Sequence, residues 1–191
     1  MKHQLKAGQY TLKPAEIEKL INAAGSLRDR IIIKLLARAG LRRDEAASID
    51  IRDIDFDRRR LEVIGKGFKG RTIPLGADIL QDITFYMGSR RSGPLFPKVR
   101  KDGKQANLAN YHLNHIVARA GVRAGLIHPN KRMKNINPHC LRHSFARVLK
   151  DRGLSLEVIQ NLLGHNSYKT TMDTYGLLSI DDIQKQMESI E

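Results

Sequence analysis

Tryptophan is absent from this chain, cysteine occurs once, at Cys140, and aromatic residues make up only 5% of the sequence. A single cysteine excludes an internal disulfide and fits a reducing compartment. The apolar runs, such as Ile31-Ile32-Ile33, fall far short of the ~20 residues a membrane-spanning helix needs. The opening MKHQLKAGQY lacks the apolar region of a secretory signal. Also missing is a basic amphipathic helix with a bulky aromatic face, which a membrane-surface protein would need. There is no repeat of solenoid period and no low-complexity tract. Acidic residues are scarce: 20 Asp and Glu stand against 34 Lys and Arg, for a net charge of +14. A surplus that large repels itself unless it serves a polyanion, so nucleic acid is the leading partner. With 191 residues and 41% hydrophobic content, the chain suits one domain with a substantial core.

Periodicity predicts a mainly α-helical fold with one small antiparallel β-hairpin. Residues 1–12 are polar and read as a leader. Pro14 with Glu16 marks a helix start, carrying Ile17, Leu20 and Ile21 on its apolar side. Ser26 caps a second helix, apolar over much of its surface, which Gly40 ends. Arg42 follows, and Glu45 sits one turn on if a helix restarts there. From Arg60 to Leu75 the period falls to two, with Gly65-Lys66-Gly67-Phe68-Lys69-Gly70 as the hairpin tip. A helix over 77–86 precedes a loop that holds Pro94, Pro97 and the basic run 98–104. Another helix spans 107–120, with Leu108, Tyr111, Leu113 and Ile116 as inner candidates. A second basic loop covers 128–138. After Tyr175 the chain turns acidic and apolar, and 177–191 reads as a tail helix that docks on its own domain or on a neighbouring copy.

The densest chemistry lies between Pro138 and Tyr175. His139 and Arg142 are three apart and share a helix face. Phe145, Val148 and Leu149 continue an inward stripe to Gly153. Ser155 caps the next helix, whose Val158, Ile159, Leu162 and Leu163 lead to Gly164 and His165. Cys140 is most simply a small core residue. His112 and His115 are helix neighbours without a clear third ligand, so no metal site is expected.

His139-Cys140-Leu141-Arg142-His143, then Leu162-Leu163-Gly164-His165, then Thr170-Thr171-Met172-Asp173-Thr174-Tyr175 together resemble the tyrosine recombinase (phage integrase) family. Gly40-Leu41-Arg42 with Glu45 resembles its first arginine motif. Gly65-Lys66-Gly67 followed by Arg71-Thr72-Ile73-Pro74-Leu75 resembles its lysine-bearing hairpin. The match runs from about Pro14 to Tyr175, and the resemblance assigns 13–176 to the catalytic domain. Most members carry a further N-terminal helical domain. This chain starts almost at the catalytic part, as a trimmed chain or a minimal recombinase would. Gly176-Leu177-Leu178 stands where many members have a histidine.

The resemblance implies a site-specific recombinase that breaks and rejoins DNA by transesterification. A 3′-phosphotyrosyl link would conserve the energy of the diester, so neither metal, ATP nor other cofactor is implied. Arg42 and Arg142 would clamp the non-bridging oxygens, for which a planar, permanently charged fork is suited. Lys66 would protonate the departing 5′-hydroxyl. His139 would help activate the nucleophile or bond the phosphate, and His165 would hold a phosphate oxygen. Tyr175 would attack; a free phenol ionises only near pH ~10, so it needs neighbouring cations. Glu45 would orient a cation. Double-stranded DNA is the implied partner, with self-association on it as a synaptic tetramer, in the cytoplasm at the nucleoid.

Phosphate-backbone contacts are expected from Lys98, Arg100, Lys101, Lys104, Lys131, Arg132 and Lys134, with Arg43, Lys69 and Arg71 beside the hairpin and first arginine. Either basic loop could equally be a solvated surface run. Arg43 competes with Arg42, Lys69 with Lys66, and Tyr168 with Tyr175. A type IB topoisomerase-like nicking-closing enzyme and a catalytically inactive DNA-binding regulator are the alternative functions.

Overall fold

The structure is a computed structural model that describes residues 10–64, 70–99, 102–103, 105–129 and 135–164. The leader to residue 9, the hairpin tip 65–69, Arg100, Lys101, Lys104, Lys131, Arg132, Lys134, His165, Tyr168, Tyr175 and the tail lie outside the described residues.

Helix α1 (Pro14–Asn22) opens with Pro14 in its first turn, and the Glu16 carboxylate accepts the Lys13 N–H at 2.7 Å. Helix α2 (Leu27–Arg38) is capped by Ser26 Oγ, which accepts the Asp29 N–H at 3.1 Å. Its Ile31, Ile32, Ile33, Leu35 and Leu36 are fully buried, so α2 is the central helix. Lys34 is buried among them. Its Nζ lies 2.8 Å from both Asp78 and Asp82, which makes a buried cation tolerable. Helix α3 (Arg43–Ser48) restarts the chain with Arg42 at its N-cap.

A 3₁₀ turn, Ile51–Asp53, leads into a three-stranded antiparallel sheet: β1 (Ile54–Asp55), β2 (Arg60–Ile64) and β3 (Gly70–Pro74). Leu61 lies opposite Ile73 and Ile64 opposite Gly70, so the expected hairpin register is present on both sides of its tip. Helix α4 (Ala77–Met87) follows and packs on α2. Helices α5 (Asn110–Arg123), α6 (Pro138–Asp151) and α7 (Leu156–Leu163) complete the described chain. Among the described residues no helix is long and apolar enough to cross a membrane.

Three expectations need correction. The basic loop after α4 contains a second two-stranded sheet, β4 (Pro97–Val99) with β5 (Gln105–Asn107). Strands of three residues are too short to show the apolar alternation that would reveal them. Because β5 takes residues 105–107, α5 begins at Asn110 and not at 107. Tyr111, an expected inner residue, is turned outward, 53% exposed.

Gly40 joins α2 to the site. Its φ is +65°, and a Cβ there would fall 2.3 Å from the Phe145 ring of α6. The left-handed backbone and the ring contact both exclude a side chain. Gly40→Ala should therefore destabilise the protein by about 2–5 kcal/mol, read by urea unfolding.

Candidate active site

Helix α7 ends at Gly164, in the left-handed conformation with φ +60°. The last carbonyls of a helix have no partner inside it and carry partial negative charge. Here three consecutive ones are each met by a different arginine. The Leu162 carbonyl accepts from Arg71 Nε at 2.9 Å, the Leu163 carbonyl accepts from Arg142 Nη2, and the Gly164 carbonyl accepts from Arg42 Nη2 at 2.6 Å. These arginines come from β3, α6 and the N-cap of α3, far apart in sequence. Arg142 Nη1 also donates to the Gly40 carbonyl, so its fork bridges the end of α2 to the end of α7.

Glu45 joins two of the three. Its side chain is 4% exposed. It accepts from the Arg42 backbone N–H at 2.7 Å and from Arg42 Nη1 at 2.9 Å. Arg71 donates to both of its oxygens, each at 2.7 Å. Burial raises the pKa of this carboxyl, but the hydrogen bonds and charge of Arg71 and Arg42 outweigh burial, leaving it at about 2 against an ordinary 4.5. A lowered carboxylate stabilises the fold fully above pH ~4.5 and progressively less as pH falls towards 2. This contribution is roughly 3 kcal/mol. In urea unfolding, the stability gap between the native protein and Glu45→Gln should be widest near neutrality and should narrow as the solution is acidified through that window.

Asn137 starts α6; its Oδ1 accepts the His139 and Cys140 N–H groups at 3.0 and 3.1 Å. His139 stands exposed at the rim, one turn above the buried Arg142. Partial burial of its ring and then the charge of Arg142 lower its pKa, which favours the neutral form. Its Nε2 lies 2.7 Å from Nε2 of His143, with the rings edge to face. One N–H fits between two such nitrogens, so one ring donates and the other accepts. His143 was not singled out from the sequence, although its place one turn beyond His139 was the available signal.

These groups border an open cleft of about 860 Å³. Arg42 and Arg43 line it from α3, Asn114 and His115 from α5, and His139 and Arg142 from α6. The structure thus brings together Arg42, His139, Arg142 and Glu45 from the sequence-derived set. Arg43 is exposed at the same cleft and donates to Asn114 at 3.3 Å. Arg71, expected on the DNA backbone, is only 11% exposed, and its fork is taken up inside the protein by Glu45 and Leu162. Lys98 is exposed on β4, close enough to His112 to help burial lower that ring's pKa. No three His, Cys, Asp or Glu side chains are placed to hold a metal ion among the described residues. Two guanidinium forks and an imidazole on one open cleft can bind a tetrahedral oxyanion and exchange a proton beside it.

Residues 10–179 match the Phage integrase family. The chain is similar to the tyrosine recombinase XerA of Pyrococcus horikoshii, 36% identical over 164 residues that cover 84% of this chain and 54% of the relative. The crystal structure of XerA recombinase has the same fold, with a TM-score of 0.74 at 24% identity over 95% of this chain and 65% of the other. The XerH site-specific recombinase bound to its difH substrate in a pre-cleavage complex gives a TM-score of 0.72 at 26% identity, over 100% of this chain and 56% of the other. The chain spans about half the length of the curated relatives it matches.

Proposed function

The chain belongs to the phage integrase family, and from that premise we propose that it cuts and rejoins duplex DNA at specific sites through a covalent 3′-phosphotyrosyl intermediate. The observation that carries this reading is the meeting of Arg42 and Arg142, 100 positions apart in sequence, on adjacent carbonyls at the end of α7 beside His139. A diester under attack gathers charge on its non-bridging oxygens, and two preorganised forks lower the barrier by favouring that charge. Each arginine has further N–H donors beyond those it uses on the carbonyls. His139, in contact with His143 and with its pKa lowered, can accept or return the proton of the attacking phenol. Tyr175 is that phenol, Lys66 protonates the leaving 5′-oxygen, and His165 completes the phosphate contacts. Arg43, exposed at the cleft, and Lys98, exposed on β4, contact the flanking backbone, together with Lys69, Arg100, Lys101, Lys104, Lys131, Arg132 and Lys134.

Duplex DNA as partner is supported by the +14 charge and by the difH substrate bound in the XerH structure. Exchange between two duplexes calls for self-association on DNA as a synaptic tetramer, in a protein at work on the nucleoid. The test is a nicked suicide substrate, whose cleavage releases a short strand and traps the enzyme. A covalent protein–DNA adduct should form in EDTA without ATP. Binding with no adduct on any cognate site would point to a regulator, and relaxation of supercoils without site preference to a topoisomerase.

A further inference from the structure

Arg71 is the one arginine of the three that does not line the cleft, yet all three of its guanidinium nitrogens are engaged inside the protein. Glu45 carries a single negative charge and faces two guanidinium groups. Arg71 takes it two-pronged, at 2.7 Å on each oxygen. The Arg42 guanidinium reaches one oxygen only, at 2.9 Å, and it is the oxygen that Arg71 Nη1 also uses. A carboxylate held by Arg42 alone would cancel the charge that Arg42 must present to a phosphate. Shared with Arg71, it leaves the pair with a net positive charge, and the solvent-facing partner is Arg42, 34% exposed against 11%.

Arg71 Nε meanwhile holds the Leu162 carbonyl, one residue before the two carbonyls on which Arg142 and Arg42 rest. The side chain is closely fitted there: a Cβ on Gly164 would fall 2.9 Å from Arg71 Nη1.

We propose that Arg71 is a positioning residue for strand cleavage, which balances the Glu45 carboxylate so that Arg42 keeps its charge for the DNA phosphate. The proposal rests on the recombinase reading above. It places in the β2–β3 hairpin a residue that tunes the phosphate clamp without touching substrate.

The experiment compares the native protein, R71A, E45Q and the double variant R71A/E45Q. Single-turnover cleavage of the suicide duplex, duplex Kd, and the rise in Tm on replacing chloride with inorganic phosphate at equal ionic strength are measured for each. R71A should slow cleavage by at least about tenfold with Kd changed less than about threefold. In the E45Q background there is no carboxylate to balance, so removing Arg71 should slow cleavage by less than about threefold. The double variant leaves no unpaired buried charge, so this comparison stands even if R71A folds poorly. The phosphate-dependent rise in Tm should be lost in R71A and regained in R71A/E45Q. An equal loss of cleavage on removing Arg71 in both backgrounds would overturn the proposal, leaving Arg71 a brace for α7. So would a folded R71A that cleaves as fast as the native protein. If the native protein forms no adduct but the phosphate response follows the stated pattern, the recombinase reading fails and the role of Arg71 stands. A phosphate response unaffected by R71A overturns that role whether or not DNA is cut.

Discussion

Replacing Arg142 with alanine should slow strand cleavage by on the order of 10²–10³-fold, the usual cost of about 2.7–4 kcal/mol for one preorganised donor to a developing oxyanion. Two features of Arg142 make the effect large. The residue is only 7% exposed and its guanidinium rests on carbonyls of Gly40 and Leu163, so it need not reorganise as charge develops. It also lies one turn from His139, whose proton affinity it lowers. Duplex affinity draws on many backbone contacts and should fall far less than the cleavage rate. Arg142→Lys should recover little, because an ammonium cannot bridge both carbonyls and still offer a planar fork. Some stability goes as well, since two buried carbonyls lose their donor, at about 1–3 kcal/mol. Cleavage is therefore compared well below the melting temperature of the variant.

Replacing Tyr175 with phenylalanine should abolish the covalent adduct while leaving duplex affinity close to native. The change removes one hydroxyl and no charge, so the basic surface that attracts DNA is intact. No other phenol in the described part of the cleft stands ready to substitute: Tyr111 lies on the outer side of α5, stacked against His112. Peptide mapping of the native adduct should place the oligonucleotide on Tyr175. A persistent adduct in Tyr175→Phe would reassign the nucleophile, with Tyr168 the first alternative.

Much of this arrangement was legible in the sequence, and the reasons are local. Helix starts at Pro14, Ser26 and Ser155 announce themselves by caps whose side chains or rings satisfy the first turn. Gly40 and Gly164 mark left-handed turns that no other residue adopts cheaply. Arg42, His139 and Arg142 stand out through the resemblance of their motifs to the tyrosine recombinase family; taken singly, they read equally as a helix cap, a core histidine and a solvated cation.

What the sequence hid is non-local. Arg71 read as one more surface cation beside a hairpin tip, yet it alternates with Ile73 and Leu75, which are buried on β3 and just beyond it. An arginine on the inner face of a strand requires a buried acid, and Glu45 was the candidate. The pairing of β4 with β5 stayed hidden because strands of three residues are too short to carry a period-two signal. That three arginines meet at the end of α7 depends on the packing of α2, α3, α6 and the sheet, which no local window contains.

In the proposed reaction Arg142 acts on the charge of the scissile phosphate. Cleavage of a duplex with a neutral methylphosphonate at that single position, by native protein and by Arg142→Ala, measures this. If the fork serves that charge, the defect of Arg142→Ala should shrink from hundreds-fold on the phosphate to within about tenfold on the methylphosphonate. An undiminished defect on the neutral linkage would contradict the claim and confine Arg142 to holding α2 against α7.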